Sequence, residues 1–453
     1  MTLHAQVTSP WQGDDPCDYG RGVLRIKSKL TSWLTRLYLA RASRRGFDLE
    51  KLPEAALVPL RRNGLDPVAE LGEIRRREPV SKLPVPFGVT IWLVTGYAEA
   101  RAVLSDAKAF SNDFGNLVGK APGATAEQNP GGLGFADPPH HTRLRKMLQP
   151  EFTARRLKRL TPNIDAIIKR QLDEMDAAGK DGRPVDLVEH FALPIPSLVI
   201  CDLLGVDYGR RDEFQRLAMQ RFDLIGGTMG TLGAISESLE FLLGVVREQR
   251  KNPGDDLLGM IIREHGDDID DRELAGLADG VLTGGFETTA SMLALGTMVV
   301  LRDPQAREIV SNGSADDPAV HRFVEELLRY LTVVQVAFPR FAREDIQVGD
   351  KLIKAGDMVV VSLSGADRHE SLGEDMEKFD ATREPTQHLA FGWGPHRCVG
   401  AELAKMELRA AFPALLQRFP QMRLATPEEE LEFRKASIVY GVESLPAVLH
   451  PAS

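Results

Sequence analysis

Residues 391–400 read Phe391-Gly392-Trp393-Gly394-Pro395-His396-Arg397-Cys398-Val399-Gly400. Three glycines and a proline around one cysteine demand a tightly turned backbone. The residues that follow, Ala401 to Arg409, are strong helix formers. The cysteine thus sits in a loop that feeds a helix N-terminus, where free amides and the helix dipole favour a thiolate. A thiolate among backbone N–H donors suits a metal ligand whose charge must be tuned. Two other readings stay open on these residues alone. One is an inert buried thiol. The other is a nucleophile with His396 as its base, although nothing completes a triad.

Cys17 and Cys201 are the only other cysteines, and no two are spaced as CxxC. That argues against a zinc cluster or disulfide framework and for a reducing, cytoplasmic setting. The 453 residues are 43% hydrophobic and 27% charged, an ordinary globular composition. A net charge of -9 argues against nucleic acid as the main partner. No run of 18 apolar residues predicts a transmembrane segment, and the N-terminus lacks the pattern of a secretory signal. Residues 21–45 carry Arg21, Arg25, Lys27, Lys29, Arg36, Arg41, Arg44 and Arg45 with no acid, and apolar residues recur at helical spacing. They read as a helix packed on its own domain, with peripheral membrane contact as the alternative.

Helical patterns dominate from about 140 to 330, with strands expected at 87–94 and 359–363. The chain is therefore mainly α with small β-sheets. Eight glycines and prolines in 115–134 predict a mobile loop. A helix is predicted from Asp271 to Arg302, stopped by Pro304, and about 48 Å long. Gly284 and Gly285 in its middle cost about 1 kcal/mol each, which points to close approach of a flat group or to a local opening. Helix packing with a solvent-facing Glu287 is the alternative. Glu326 and Arg329, at i and i+3, share a helix face and in isolation read as a solvated pair.

The pattern carried by Phe391, Gly392, Gly394, His396, Cys398 and Gly400 closely resembles the haem-binding loop of the cytochromes P-450, which are haem-thiolate monooxygenases. Three more segments match in the order of that family, and the resemblance runs from about Phe87 to Val448. It implies residues 81–453 as one catalytic domain, with 1–80 as an N-terminal extension and first helices. It implies haem b as cofactor, held between the 271–302 helix and the Cys398 loop, with Cys398 as its axial metal ligand; thiolate electron push favours O–O cleavage. Gly285 would lie over the haem, and Glu287-Thr288 resembles the acid–alcohol pair that relays protons during oxygen activation. Asp137-Pro138-Pro139-His140-His141-Thr142-Arg143-Leu144-Arg145 resembles the segment beside the haem. His141, Arg145, Arg340 and His396 would meet the haem propionates, while Phe391 and Gly400 flank the ligand. Glu326, Arg329 and Arg383 would form the family's buried Glu-x-x-Arg triad. Residues 366–370 depart from the family, reading Ala-Asp-Arg-His-Glu rather than Ala-Asn-Arg-Asp.

The function implied is insertion of one oxygen atom from O2 into a hydrophobic small molecule such as a fatty acid or other lipid, a terpenoid or a polyketide. Electrons would come from a ferredoxin and its reductase. A peroxide-driven peroxygenase and a non-enzymatic haem sensor are the alternatives; the Glu287-Thr288 pair speaks against the first. Substrate contacts are expected in 115–134, 222–234, the helix before Gly284, 333–338 and 437–440. Arg143, Arg145, Lys146, Arg155, Arg156, Lys158, Arg159, Arg397 and Lys405 are expected to form a basic docking patch for an acidic ferredoxin.

Overall fold

The computed structural model describes residues 53–85, 90–113, 132–214, 216–217 and 231–450. The basic stretch 21–45, Cys17, most of the 115–134 loop and part of 222–234 lie outside the described residues.

The principal helices are α1 (Ala69–Arg77), α2 (Tyr97–Ser105), α3 (His140–Leu148), α4 (Thr161–Ala178), α5 (Pro194–Leu204), α6 (Thr231–Lys251), α7 (Leu257–His265), α8 (Asp271–Arg302), α9 (Pro304–Asn312), α10 (Pro318–Leu331) and α11 (Ala401–Arg418). Four successive helices start on an aspartate N-cap. Asp256, Asp270, Asp303 and Asp317 accept from the amides of Gly259, Glu273, Ala306 and Ala319, respectively. Each cap fills an otherwise orphaned donor and contributes about 1 kcal/mol. Pro304 and Pro318 stand just inside α9 and α10, where a missing N–H costs nothing. Helix α8 therefore has the bounds that its flanking residues predict.

Buried residues crowd α8 from Phe286 to Val300, and α5, α6, α9, α10 and α11 pack around it. It is long and apolar enough to cross a membrane, but it is the core helix of this fold. At Gly296 a Cβ would lie 2.5 Å from Phe412 of α11 and 2.8 Å from Leu327 of α10, so glycine permits the three helices to meet there. Phe323 stands edge-on to Phe412 with ring centroids 5.6 Å apart, adding directional packing to area burial.

Five strands form the main sheet of the described residues: β1 (Val80–Lys82), β2 (Ile91–Val94), β3 (Phe110–Ser111), β4 (Arg340–Ala342) and β5 (Met358–Val361). Their order is β1-β2-β5-β4-β3, and β2 runs parallel to β5 with Ile91 opposite Met358. The expected strand at 359–363 thus shifts by a residue or two. Leu363 instead opens a short helix, because Ser362 accepts from the Gly365 amide and caps it. The boundary expected at residue 80 falls inside the sheet, since Val80 pairs with Val94. Residues 53–80 also reach the body through Arg62, which donates to Gln335 Oε1 (2.8 Å) and to the Thr332 carbonyl (3.0 Å).

Candidate active site

The Cys398 loop is shaped by Gly392 and Gly394, both at positive φ (68° and 71°). Gly394 is also pressed on α2, where a Cβ would lie 2.6 Å from the Leu104 carbonyl oxygen. Next to it, Trp393 lies under the Arg101 guanidinium at 4.1 Å, so its ring is engaged with α2. The Cys398 amide donates to the Phe391 carbonyl at 2.8 Å and closes the loop. Gly400 caps α11 and aims its amide at the Cys398 sulfur. Desolvation raises the Cys398 thiol pKa; the Gly400 amide, Arg397 and Arg145 act in the opposite sense. Those three supply what a bound anionic sulfur needs. Cys201, buried on α5, is pushed up to about 12 by burial and has the character of an inert core thiol.

Beside this loop stands a cluster of donors. The His141 and His396 rings are 4.0 Å apart. Both ring nitrogens of His141 and Nε2 of His396 are buried without a hydrogen-bond partner among the described residues. Burial, then Arg145, depresses His141 to about 4. Burial, then His141, Arg340 and Arg145, depresses His396 to about 3. Arg340, on β4, is held near 10 by burial and donates to the Phe338 carbonyl at 2.7 Å. Four cationic or donor groups from α3, β4 and the cysteine loop therefore converge, and the polar atoms orphaned among them call for anionic oxygen. A nucleophile reading of Cys398 loses its base, since a histidine held this far down binds no proton near neutral pH.

On α8 the two glycines differ. A Cβ on Gly285 would lie 3.1 Å from Ile200 of α5, so its close contact is helix packing; one on Gly284 would meet nothing within 4 Å among the described residues. Thr288, one turn on, donates to the Gly284 carbonyl at 2.8 Å. The solvent-facing alternative for Glu287 is corrected: it is only 4% exposed and pairs with Arg434 at 3.1 Å. Burial raises its pKa, Arg434 opposes and Glu443 reinforces, leaving it about 7. Arg434, 147 residues away, has no spacing relation that sequence reasoning could use.

The solvated reading of Glu326 and Arg329 is likewise corrected. Both are buried, and Arg329 holds the carboxylate through two bonds of 2.7 and 2.8 Å. Arg383 Nε donates to the same carboxylate at 3.1 Å. The departure at Asp367 also has a use: its buried carboxylate accepts from Thr332 Oγ1 at 2.8 Å and from the Leu389 amide at 2.5 Å.

The basic patch is only partly free. Lys405 is buried and bonded to Glu325 at 2.6 Å, Arg143 pairs with Glu273, and Arg156 and Arg159 flank the buried Glu151. Lys146, Arg155, Lys158 and Arg397 remain exposed. Two of the expected substrate segments meet: Val334 bridges Val439, and the Tyr440 amide donates to the Val333 carbonyl at 2.8 Å. They present Phe338 (47% exposed) and Ile438 (39%), two of the three exposed large hydrophobic residues described. The Phe135 ring packs against Phe338 at a tilt, with ring centroids 4.6 Å apart.

A family model described as Cytochrome P450 matches residues 86–272 and 234–439. Cytochrome P450 165B3 of Amycolatopsis orientalis is 37% identical over 393 residues, covering 85% of this chain and 96% of that protein. Mycinamicin IV hydroxylase/epoxidase of Micromonospora griseorubida is 35% identical over 85% of this chain and 96% of its own length. Among solved structures, P450 StaH from glycopeptide antibiotic A47934 biosynthesis superposes with a TM-score of 0.78 at 38% identity, over 86% of this chain and 99% of that one. The chain belongs to the cytochrome P450 family. It has the P450 fold and is a P450 oxidoreductase of the monooxygenase class.

Proposed function

We propose that this P450 binds haem b through Cys398 and inserts one atom of O2 into a hydrophobic small molecule, by hydroxylation or epoxidation. The observation that carries this reading is the donor cluster beside the cysteine. Two histidines with orphaned buried nitrogens, together with Arg145 and Arg340, fit the two carboxylates of a haem. Cys398 Sγ, backed by the Gly400 amide, Arg397 and Arg145, would hold the haem iron. The Phe391 carbonyl holds the Cys398 amide, and Gly400 lies against the sulfur. When bound, haem supplies the activation of O2 and its transfer to substrate.

The chain's own part is to bind, orient and protonate. Glu287, poised near pH 7, both holds and releases a proton at working pH. Thr288 offers a hydroxyl on the open Gly284 face of α8 for proton hand-over. Gly285 lets α8 sit close to α5. Glu326, Arg329 and Arg383 brace the backbone at 367–380 that precedes the cysteine loop. Phe338 and Ile438 favour an apolar substrate. Similar proteins named for antibiotic biosynthesis favour a complex natural product over a simple fatty acid. Electrons come from a ferredoxin-type donor in the cytoplasm, docking on Lys146, Arg155, Lys158 and Arg397.

The test is reconstitution with haem, followed by the reduced carbon-monoxide spectrum and a spectral screen of fatty acids, terpenoids and antibiotic-type scaffolds. A thiolate-type band and a substrate-induced shift are expected. A band of the histidine-ligated type would overturn the cofactor assignment.

A further inference from the structure

Glu287 is not alone on the outward side of α8. Arg434 reaches it from the C-terminal segment, with Nη1 3.1 Å from Oε1. The same guanidinium stands between two carboxylates, because its Nε is 3.7 Å from Glu443 Oε1. Exposure rises along the row: the side chains of Glu287, Arg434 and Glu443 are 6%, 10% and 55% exposed. The row runs from the buried helix to solvent.

Local backbone pairing fixes the row. The Arg434 amide donates to the Gly441 carbonyl at 2.9 Å, and the Glu443 amide to the Glu432 carbonyl at 2.9 Å. Phe433 bridges Val442, and the Phe433 and Tyr440 rings stack with centroids 5.6 Å apart. Gly441 leaves the passage for the guanidinium. A Cβ there would lie 2.8 Å from Ser291 Oγ and 3.2 Å from Arg434 Nη1. Ser291 is one turn beyond Glu287 on α8, and its hydroxyl is buried without a hydrogen-bond partner among the described residues. A buried carboxyl, an orphaned hydroxyl and an arginine tied to a surface acid thus share one small polar site in an otherwise apolar helix surface.

We propose that Arg434 is the positioning residue of Glu287: it holds the carboxyl on the outward side of α8 and, with Glu443, decides when that carboxyl carries a proton. The use of this device in turnover rests on the relay role proposed for Glu287. Among the described residues, the groups that act on Glu287 are Arg434 and Glu443; none comes from the described side chains of α5, α6, α10 or α11, which also pack on α8. An arginine beside a buried acid favours its ionised form, while a second acid on that arginine favours the protonated form. Each turnover then breaks the Glu287 O–H as the proton passes inward, and a proton from bulk water at the Glu443 end restores it.

The test follows the Glu287 carboxyl directly. Difference infrared spectra of the holoenzyme across pH 5–9 give a protonated-carboxyl band, assigned to Glu287 by its loss in Glu287→Gln. In Arg434→Gln the midpoint should rise by about one pH unit or more, a tenfold gain in proton affinity. Gly441→Ala, which pushes the guanidinium aside, should move it the same way. Glu443→Gln, at an exposed position, should lower it. The alkaline limb of the pH–rate profile, where the protonated carboxyl is lost, should follow each shift. Arg434→Lys and Glu443→Gln carry the test if Arg434→Gln does not fold. Midpoints that match the parent in Arg434→Lys, Gly441→Ala and Glu443→Gln would overturn the assignment. Shifted midpoints with unchanged coupling in Glu287→Gln would support the pairing and remove the relay instead.

Discussion

Replacing Arg329 by lysine keeps the charge and most of the stem, so it isolates the guanidinium geometry. Arg329 donates five hydrogen bonds: two to Glu326 and one each to the carbonyls of Asp367 (2.9 Å), Met376 (2.8 Å) and Lys378 (2.9 Å). A lysine has only three N–H donors on one atom. At least two of the five bonds are then lost. Glu326 keeps the Arg383 guanidinium and the Asp380 amide, so the loss falls mainly on the carbonyls. Each unpaired buried acceptor costs about 1–3 kcal/mol, giving roughly 2–6 kcal/mol for Arg329→Lys. Urea unfolding followed by far-UV circular dichroism measures this, with Lys169→Met, in an exposed pair with Asp173, as a control expected to cost about 0.5 kcal/mol or less. A loss below 1 kcal/mol for Arg329→Lys would refute the claim that its fork braces the loop.

Cys398→Ala should abolish the thiolate-type spectrum of the reduced carbon-monoxide complex, while Cys201→Ala should retain it; the reverse pattern would move the ligand. Thr288→Ala should bind substrate normally but divert electrons to peroxide, and Glu287→Gln should slow turnover; unchanged rate and coupling in both would sink the relay. Reduction by an acidic ferredoxin should slow with rising salt and in Lys146→Glu and Arg397→Glu, through weaker association. A rate indifferent to salt and to both reversals would mean docking is not electrostatic. Burial alone would raise Glu325, but bonds from His388 and Lys405 hold it down at about 2. Its folded pKa is depressed, so its stabilisation is complete above about pH 4.5 and drains away as pH falls toward 2. Glu325→Gln should flatten that acid limb of stability, and an unaltered limb would contradict the pairing.

Local signals were readable in the chain wherever they repeat at short range. The ends of α8 follow from Asp270 and Pro304, and Glu326 and Arg329 share a face by simple helical spacing. Burial is what spacing hides: the same i,i+3 pair describes a surface contact or a buried brace, and only the fold separates them. Partners far along the chain were equally hidden. Nothing in the sequence links Glu287 to Arg434, or Lys405 to Glu325, so Lys405 read as a free surface charge. Glu325 itself stands next to Glu326 but projects to another face, where it gathers His388, Lys405 and Arg409. Asp137 lay inside a recognised segment without a role; its carboxylate accepts from Ser111 Oγ (2.5 Å), the Asn112 amide (2.8 Å) and Arg343 (2.5 Å).

The main sheet has a consequence for synthesis on the ribosome. Its central parallel pair joins Ile91–Val94 to Met358–Val361, strands separated by roughly 270 residues of chain. At about 5–20 residues per second, the first of these strands waits some 13–50 s for its partner to emerge. Through that interval the nascent Ile91-Trp92-Leu93-Val94 can pair on one side only, with Val80–Lys82. The other edge stays an apolar, unpaired template of the kind that seeds association between chains. Shielding that early edge until Met358–Val361, about four-fifths of the way along the chain, has been made should raise yield in a foreign host.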